Sequence, residues 1–252
     1  MAEDTVLLQK RLTELAERSY RTGQFFFSDF LGLAEQSAYE EIRRSLSHVR
    51  VTSFGGAEGA ERVVLRFGDP EELGYELPFP IVTLRIAPRA PKFAEALTHR
   101  DVLGSLMSLG ITRDTLGDIV VREGEIFLFC LDDIAPYIKD SLTRIRHTDV
   151  KIEEVDTLPE GALYRTEECV VKLSSERLDA VIAKLYQLSR DEAQHLFARS
   201  LVFVNGKCIE STSYAPKPSD VVSVRGHGRF IYVGFTSETK KGKLNVALQK
   251  YV

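Results

Sequence analysis

Between Leu178 and Gly206 the hydrophobic period of the chain changes twice, and this limits the fold more than any other stretch. Leu178, Val181, Ile182, Leu185 and Leu188 recur at helical spacing. Ser189 stands three residues before Glu192, an arrangement that satisfies orphan N–H groups at a helix start. Ala193, Leu196, Phe197 and Leu201 then mark the apolar side of a second helix, so the turn between the helices must be tight. Asn205-Gly206 follows between LVFV and KCIE. Asn and Gly tolerate the positive φ that a two-residue hairpin turn demands, so a hairpin is predicted there. VVSVRG, after the turn PKPSD, reads as a later strand.

Upstream, between Pro78 and Asp156, the signals run βαββαβ. IVTLRIAP (81–88) is a strand, HRDVLGSLMSLG (99–110) a helix, and GDIVVR and EIFLFC two strands around a turn. IAPYIKDSLTRI (134–145) is a helix and VKIEEV (150–155) the last strand. This is the order of a split βαβ, the ferredoxin-like arrangement shared by many RNA-binding domains. Ahead of it lie a helical start, a helical LGLAEQSAYEEIRRSL (31–46), and the strands VRVTSF and RVVLRF joined by GGAEGAE. That glycine loop lacks the strand-before, helix-after setting of a dinucleotide fingerprint and reads as a hairpin connection. The expected class is α+β, in three parts: an N-terminal α/β-hairpin domain (1–75), a central ferredoxin-like or RRM-like domain (76–160) and a third domain with a basic tail (174–252). DTLPEGALYRTEECVVKL (156–173) reads as a connector.

The formal charge of −4 hides a division. Residues 174–252 carry 12 Lys and Arg against 7 Asp and Glu, net +5, leaving 21 against 30, net −9, for residues 1–173. Such asymmetry points to a basic binding module on an acidic body. Cys130, Cys169 and Cys208 are odd in number and far apart, which suggests free thiols in a reducing compartment rather than disulfides or a metal knuckle. The acidic, amphipathic N-terminus does not read as a signal peptide, and no apolar run approaches the ~18 residues of a membrane span. A cytoplasmic location is expected.

The basic residues of 174–252 fall in groups. Arg190 and Gln194 are spaced i,i+4 and share a helix face, while Arg177 and Lys184 lie two turns apart on the partner helix. Arg225-Gly226-His227-Gly228-Arg229 combines planar donor forks with glycines that let a backbone approach closely. Lys207 lies just past the hairpin turn, and Lys240, Lys241 and Lys243 extend the basic character towards the C-terminus. Chain chemistry of this kind suits an RNA backbone.

The stretch Arg177-Leu178-Asp179, Ser189-Arg190, Ala193-Gln194, Val204-Asn205-Gly206 and Asp220 to Val224 resembles the S4-type RNA-binding domain. Asp191 and Gly206 depart from that pattern. The wider chain is similar to the YlmH family, bacterial proteins often encoded among cell-division genes. The likeness rests on SVRGHGRF (223–230), ETKKGKL (238–244), GGAEGAER (55–62) and THRDVLGSLMSLGITRDTLGDI (98–119). The resemblance implies a non-enzymatic factor that binds ribosomal RNA and tRNA on the large ribosomal subunit during ribosome-associated quality control. Such a factor is expected to be monomeric and to use no cofactor or metal.

Other readings have less support. His99-Arg100-Asp101 mimics a kinase catalytic loop, but Leu106 occupies the position of its asparagine. Asp179 follows Arg177-Leu178 as in pseudouridine synthases, yet it lies in a small helical unit and Glu176 replaces their glycine. No glycine-rich cofactor turn, G-x-S-x-G elbow or metal-spaced group occurs. His99, Arg100 and Arg113, with Asp101 and Asp118, form a polar block that is either internal capping and pairing or a second RNA contact, since a ferredoxin-like sheet can present one. Two other functions stay open: an RNA-modifying enzyme with an unrecognised site in residues 1–160, and a division-linked interaction protein.

Overall fold

The computed structural model describes residues 2–122, 124–156, 158, 163–239 and 242–252. The chain divides into two compact units, Met1–Leu163 and Tyr164–Val252. No helix among the described residues is long and apolar enough to cross a membrane.

The first unit opens with α1 (Ala2–Thr22), β1 (Phe26–Phe27), α2 (Leu33–Ile42), a 3-10 turn over Arg43–Leu46, β2 (Val51–Phe54), β3 (Val64–Phe67) and the short α3 (Pro70–Leu73). The three strands pair antiparallel in the order β1-β3-β2, so GGAEGAE does join two neighbouring strands. Leu12 and Ala16 of α1 and Tyr39 of α2 bury against Leu65 and Phe67.

Next come β4 (Ile81–Pro88), α4 (His99–Ser108), β5 (Leu116–Arg122), β6 (Glu125–Leu131), α5 (Ala135–Ser141), β7 (Arg144–Ile145) and β8 (Thr148–Val155). The antiparallel sheet has the order β5-β6-β4-β8-β7, the split βαβ order with one added strand. Its apolar face (Leu84, Ile86, Ile126, Leu128, Cys130) packs on Val102 and Leu106 of α4 and Ala135 and Ile138 of α5. The added strand corrects one expectation. The helix predicted to run to Ile145 stops at Ser141, and Leu142 leaves helical geometry (φ −86, ψ 84). Arg144 and Ile145 instead pair with Asp149 and Thr148 around the turn Arg146-His147, with Arg146 at φ 53. This route buries Ile145 completely beside Val150.

One joint ties the two parts of this unit together. Asp118, only 4% exposed, accepts the backbone N–H groups of Glu61 (2.6 Å) and Arg62 (3.3 Å). Arg62 donates from Nε to the Leu116 carbonyl (2.8 Å) and from Nη2 to those of Phe30 (3.1 Å) and Arg113 (3.0 Å). Arg113 in turn donates to the carbonyls of Leu116 (3.0 Å) and Gly117 (2.9 Å). At Gly56, φ +99, a Cβ would come within 2.3 Å of the Phe129 ring, so only glycine lets the loop lie flat on that aromatic.

The second unit holds β9 (Thr166–Leu173), α6 (Leu178–Leu185), α7 (Arg190–Ala198), β10 (Val202–Val204), β11 (Lys207–Cys208), β12 (Val221–Val224), β13 (Gly228–Glu238) and β14 (Leu244–Tyr251). The strand order is β11-β10-β12-β13-β14-β9, antiparallel throughout. The residues read as a connector therefore include the edge strand β9, paired with β14 from Leu244↔Leu173 to Tyr251↔Thr166. The period-2 run Cys169, Val171, Leu173 drives this, because it turns apolar side chains towards the helices. Both helices cover one face, where Val204, Val222, Val224, Phe230, Tyr232 and Leu248 meet Leu178, Ile182, Ala193 and Phe197. The hairpin turn forms as predicted, with Asn205 at φ 48 and Gly206 at φ 75. Asp220, 7% exposed, locks it by accepting from Asn205 Nδ2 and the Lys217 N–H, both at 2.8 Å.

Candidate nucleic-acid interface

Helices α6 and α7 meet at a turn in which Gln187 adopts φ 56 and the Leu188 N–H reaches back to the Ala183 carbonyl (2.9 Å). Such a six-to-one bond satisfies an end carbonyl of α6. The capping box then starts α7: Ser189 Oγ accepts the Glu192 N–H (3.2 Å) and the Glu192 carboxylate accepts the Ser189 N–H (2.8 Å). Those bonds hold the Glu192 carboxyl below its usual range, so it stays ionised on the cap.

A groove of about 650 Å³ opens where this helix pair meets the β9 edge, lined by Lys172, Ser174, Ser175, Arg177, Lys184, Gln187, Arg190 and Lys243. Arg177 is fixed there by Asp179, whose Oδ1 and Oδ2 accept from Nε (3.0 Å) and Nη2 (2.8 Å). Asp179 is buried and also accepts the Ala180 N–H. Lys172, Lys184, Arg190 and Lys243 have no carboxylate within ion-pair distance among the described residues. In the first unit several cations pair internally, as in Arg11 with Asp29, Arg50 with Asp69, Arg85 with Glu125 and Lys139 with Glu154. The groove is thus a concentration of uncompensated positive charge beside one oriented guanidinium fork. Phosphodiester groups complement it.

The structure gathers only some of the basic residues proposed from sequence. Arg177, Lys184, Arg190 and Lys243 share the groove, whereas Gln194 on α7 and exposed Lys207 on β11 are not in its wall. Arg225 stacks over Phe203 (4.5 Å) and Arg229 over Tyr251 (4.8 Å). The register puts Phe203, Ser223 and Arg229 on the sheet face away from the helices. The arginines of the glycine loop therefore occupy a second surface of the same unit. Between them His227 turns the other way, 5.4 Å from the Tyr186 ring. Lys240 and Lys241 lie outside the described residues. Sequence reading misses Lys172 because its strand is taken for a connector; the alternation around it is the signal that would have found it.

In the central block, Arg113 and Asp118 belong to the joint described above. Asp101 caps α4, accepting the Thr98 N–H at 2.9 Å, and pairs with Arg146 (3.7 Å). His99 and Arg100 are exposed on the first turn of α4. Burial pushes the Cys130 thiol up to about 12, which removes it as a nucleophile. No cluster of three or more His, Cys, Asp and Glu side chains fit for a metal occurs among the described residues.

Paired helices with a cationic groove, set on this sheet, define an RNA-binding protein of the S4-domain class. Residues 176–222 match the S4 domain and residues 76–158 match the family described as "Putative RNA-binding domain in YlmH". The chain is 32% identical over 231 residues to the ribosome-associated protein quality control protein P2 of Bacillus subtilis, across 88% of this chain and 86% of that protein. It belongs to the YlmH family. A shorter likeness, 34% identity over 86 residues, links 34% of the chain to 39% of small ribosomal subunit protein uS4 from Hahella chejuensis. Among solved structures, the Streptococcus pneumoniae cell division protein ylmH aligns with TM-score 0.48 and 21% identity, covering 60% of this chain and 91% of that one.

Proposed function

We propose that the chain binds ribosomal RNA and tRNA on the large ribosomal subunit and acts in the rescue of stalled translation, without performing covalent chemistry. The observation that carries this is the groove, where Lys172, Lys184, Arg190 and Lys243 stand without carboxylate partners beside an Arg177 held in position by Asp179. Placed this way, cations neutralise phosphates and release counterions, and phosphate contacts set position rather than sequence preference. The quality-control relative in Bacillus subtilis supports the cellular setting. In this reading the functional division follows residues 1–75, 76–160 and 174–252, and the protein works as a cytoplasmic monomer. Sedimentation of the purified chain with separated ribosomal subunits tests it. Co-migration with the large subunit at low salt, lost at high salt, is expected; equal association with both subunits or with neither would refute it. Mass mapping of ribosomal RNA and tRNA after incubation with the protein should find no new modification.

A further inference from the structure

An RRM-type sheet binds RNA by stacking bases on aromatics of its central strands, on the face away from the helices. Here the aromatics of that face on β6 are Phe127 and Phe129, since Ile126, Leu128 and Cys130 turn towards α4 and α5. Neither is available: Phe127 is 2% exposed and Phe129 fully buried, with the Gly56 backbone lying on the Phe129 ring. Farther along the face, Arg85 is tied to Glu125 and Glu153, and Lys151 to Glu153. The sheet face is filled by the N-terminal part of its own unit and by internal ion pairs.

The opposite situation holds at the end of the domain formed by residues 89–101 and the β7–β8 hairpin. Phe93 is 88% exposed, more than any other large apolar side chain among the described residues. It is not on a loose loop. Pro91 begins a 3-10 turn ending at Phe93, and both feet of the loop are fastened to the hairpin. The Arg89 N–H and Nε donate to the carbonyls of Asp149 (2.9 Å) and Val150 (3.0 Å), and the Glu95 N–H donates to Thr148 Oγ1 (3.2 Å). Lys92 is next to Phe93 in sequence and exposed, and Arg100 on the first turn of α4 and Arg144 and Arg146 of the hairpin are exposed as well. The nearby carboxylates are already engaged: Asp149 with Arg144, and Glu95 and Asp101 with Arg146. Lys92 and Arg100 have no carboxylate within ion-pair distance among the described residues. A lone exposed phenylalanine needs no explanation, but one on a loop tethered at both feet, beside Lys92 and on the same loop-and-helix segment as Arg100, has the composition of a base-stacking platform with phosphate anchors.

We infer that this end of the central domain is a second RNA-contact site, in which Phe93 stacks on an unpaired base while Lys92 and Arg100 hold the flanking phosphates. The inference rests on the reading of the protein as an RNA binder and assigns its central domain a contact surface other than the sheet. It is tested with the full chain, titrated against deproteinised large-subunit ribosomal RNA at several salt concentrations, with a thermal melt on each variant. Phe93→Ala should weaken binding roughly tenfold, in the range of one lost base stack, and Phe93→Trp should bind like the wild type. Because a ring releases no counterions, Phe93→Ala should leave the salt slope unchanged, while Lys92→Ala with Arg100→Ala should flatten it by about 1.5. Wild-type affinity in both the Phe93→Ala and the Lys92/Arg100 variants, alongside weakened binding by Arg190→Ala, overturns this site and leaves the groove standing. Loss of binding in Phe93→Ala with no effect of Arg177→Ala or Arg190→Ala supports this site and overturns the groove.

Discussion

Arg177 and Asp179 form a two-bond fork within one turn of the start of α6, with the carboxylate inside the protein and the guanidinium at the groove. Asp179, itself part of the groove lining, is thus a positioning residue for a cation. Arg177→Ala should weaken ribosomal RNA binding and flatten the dependence of log affinity on log salt by roughly 0.7 to 0.9. Asp179→Ala keeps the charge but frees the side chain, so affinity should fall with the slope nearly intact. It should also lower stability by about 1 kcal/mol, since a part-buried hydrogen bond from the Ala180 N–H is lost as well. A salt titration and a denaturant melt on the two variants separate these outcomes.

Arg190 lies on the groove at the first position of α7, and the cap that starts this helix is made by Ser189 and Glu192. Arg190→Ala should leave the melting temperature within a degree or so of wild type, because alanine favours helix by a few tenths of a kcal/mol at about this position. Binding should weaken across unrelated structured RNAs alike, with a shallower salt slope. A variant that loses affinity for one RNA only would show that Arg190 reads bases.

Asp118 accepts two backbone N–H groups at the joint of the first unit. Asp118→Asn should destabilise that unit by about 1–3 kcal/mol, because the charged acceptor of two part-buried N–H groups is replaced by a neutral amide. RNA affinity at a temperature where the variant is folded should not change. An affinity loss without a stability loss would return the central polar block to the list of RNA contacts.

Strand β9 closes the sheet of the second unit, with Val171 and Leu173 buried. A fragment of residues 164–252 should therefore melt cooperatively, while a fragment of residues 174–252 should be less stable by several kcal/mol, about 1.5–3 for each buried aliphatic side chain removed. Circular dichroism melts of the two fragments measure this directly. Equal melting points would show that β9 contributes nothing to the unit.

What the sequence determined by itself is local. The Ser189 to Glu192 capping box and the Asn205-Gly206 turn are written in neighbours a few residues apart and formed as read, and the βαββαβ order formed with one strand, β7, added. The basic character of the C-terminal part and its S4 and YlmH likeness were legible for the same reason, since they depend on residue types and short spacings. Helix 134–145 was overextended because Leu142 to Ile145 has acceptable helical composition, and only the ladder to Thr148 and Asp149 draws it into a strand. The cations show the limit most plainly. Arg190 and Arg225 are equivalent as sequence features, yet one lines the groove and the other stacks on Phe203 across the sheet. The periods of 3.6 and 2 tell which residues share a face of one element, but not which faces of distant elements meet. That depends on long-range pairings such as β9 with β14, and on burial that covers Phe129 while leaving Phe93 in solvent. Packing of the folded chain decides these, because close contact between distant residues depends on how the whole core fills, which no short window of sequence contains.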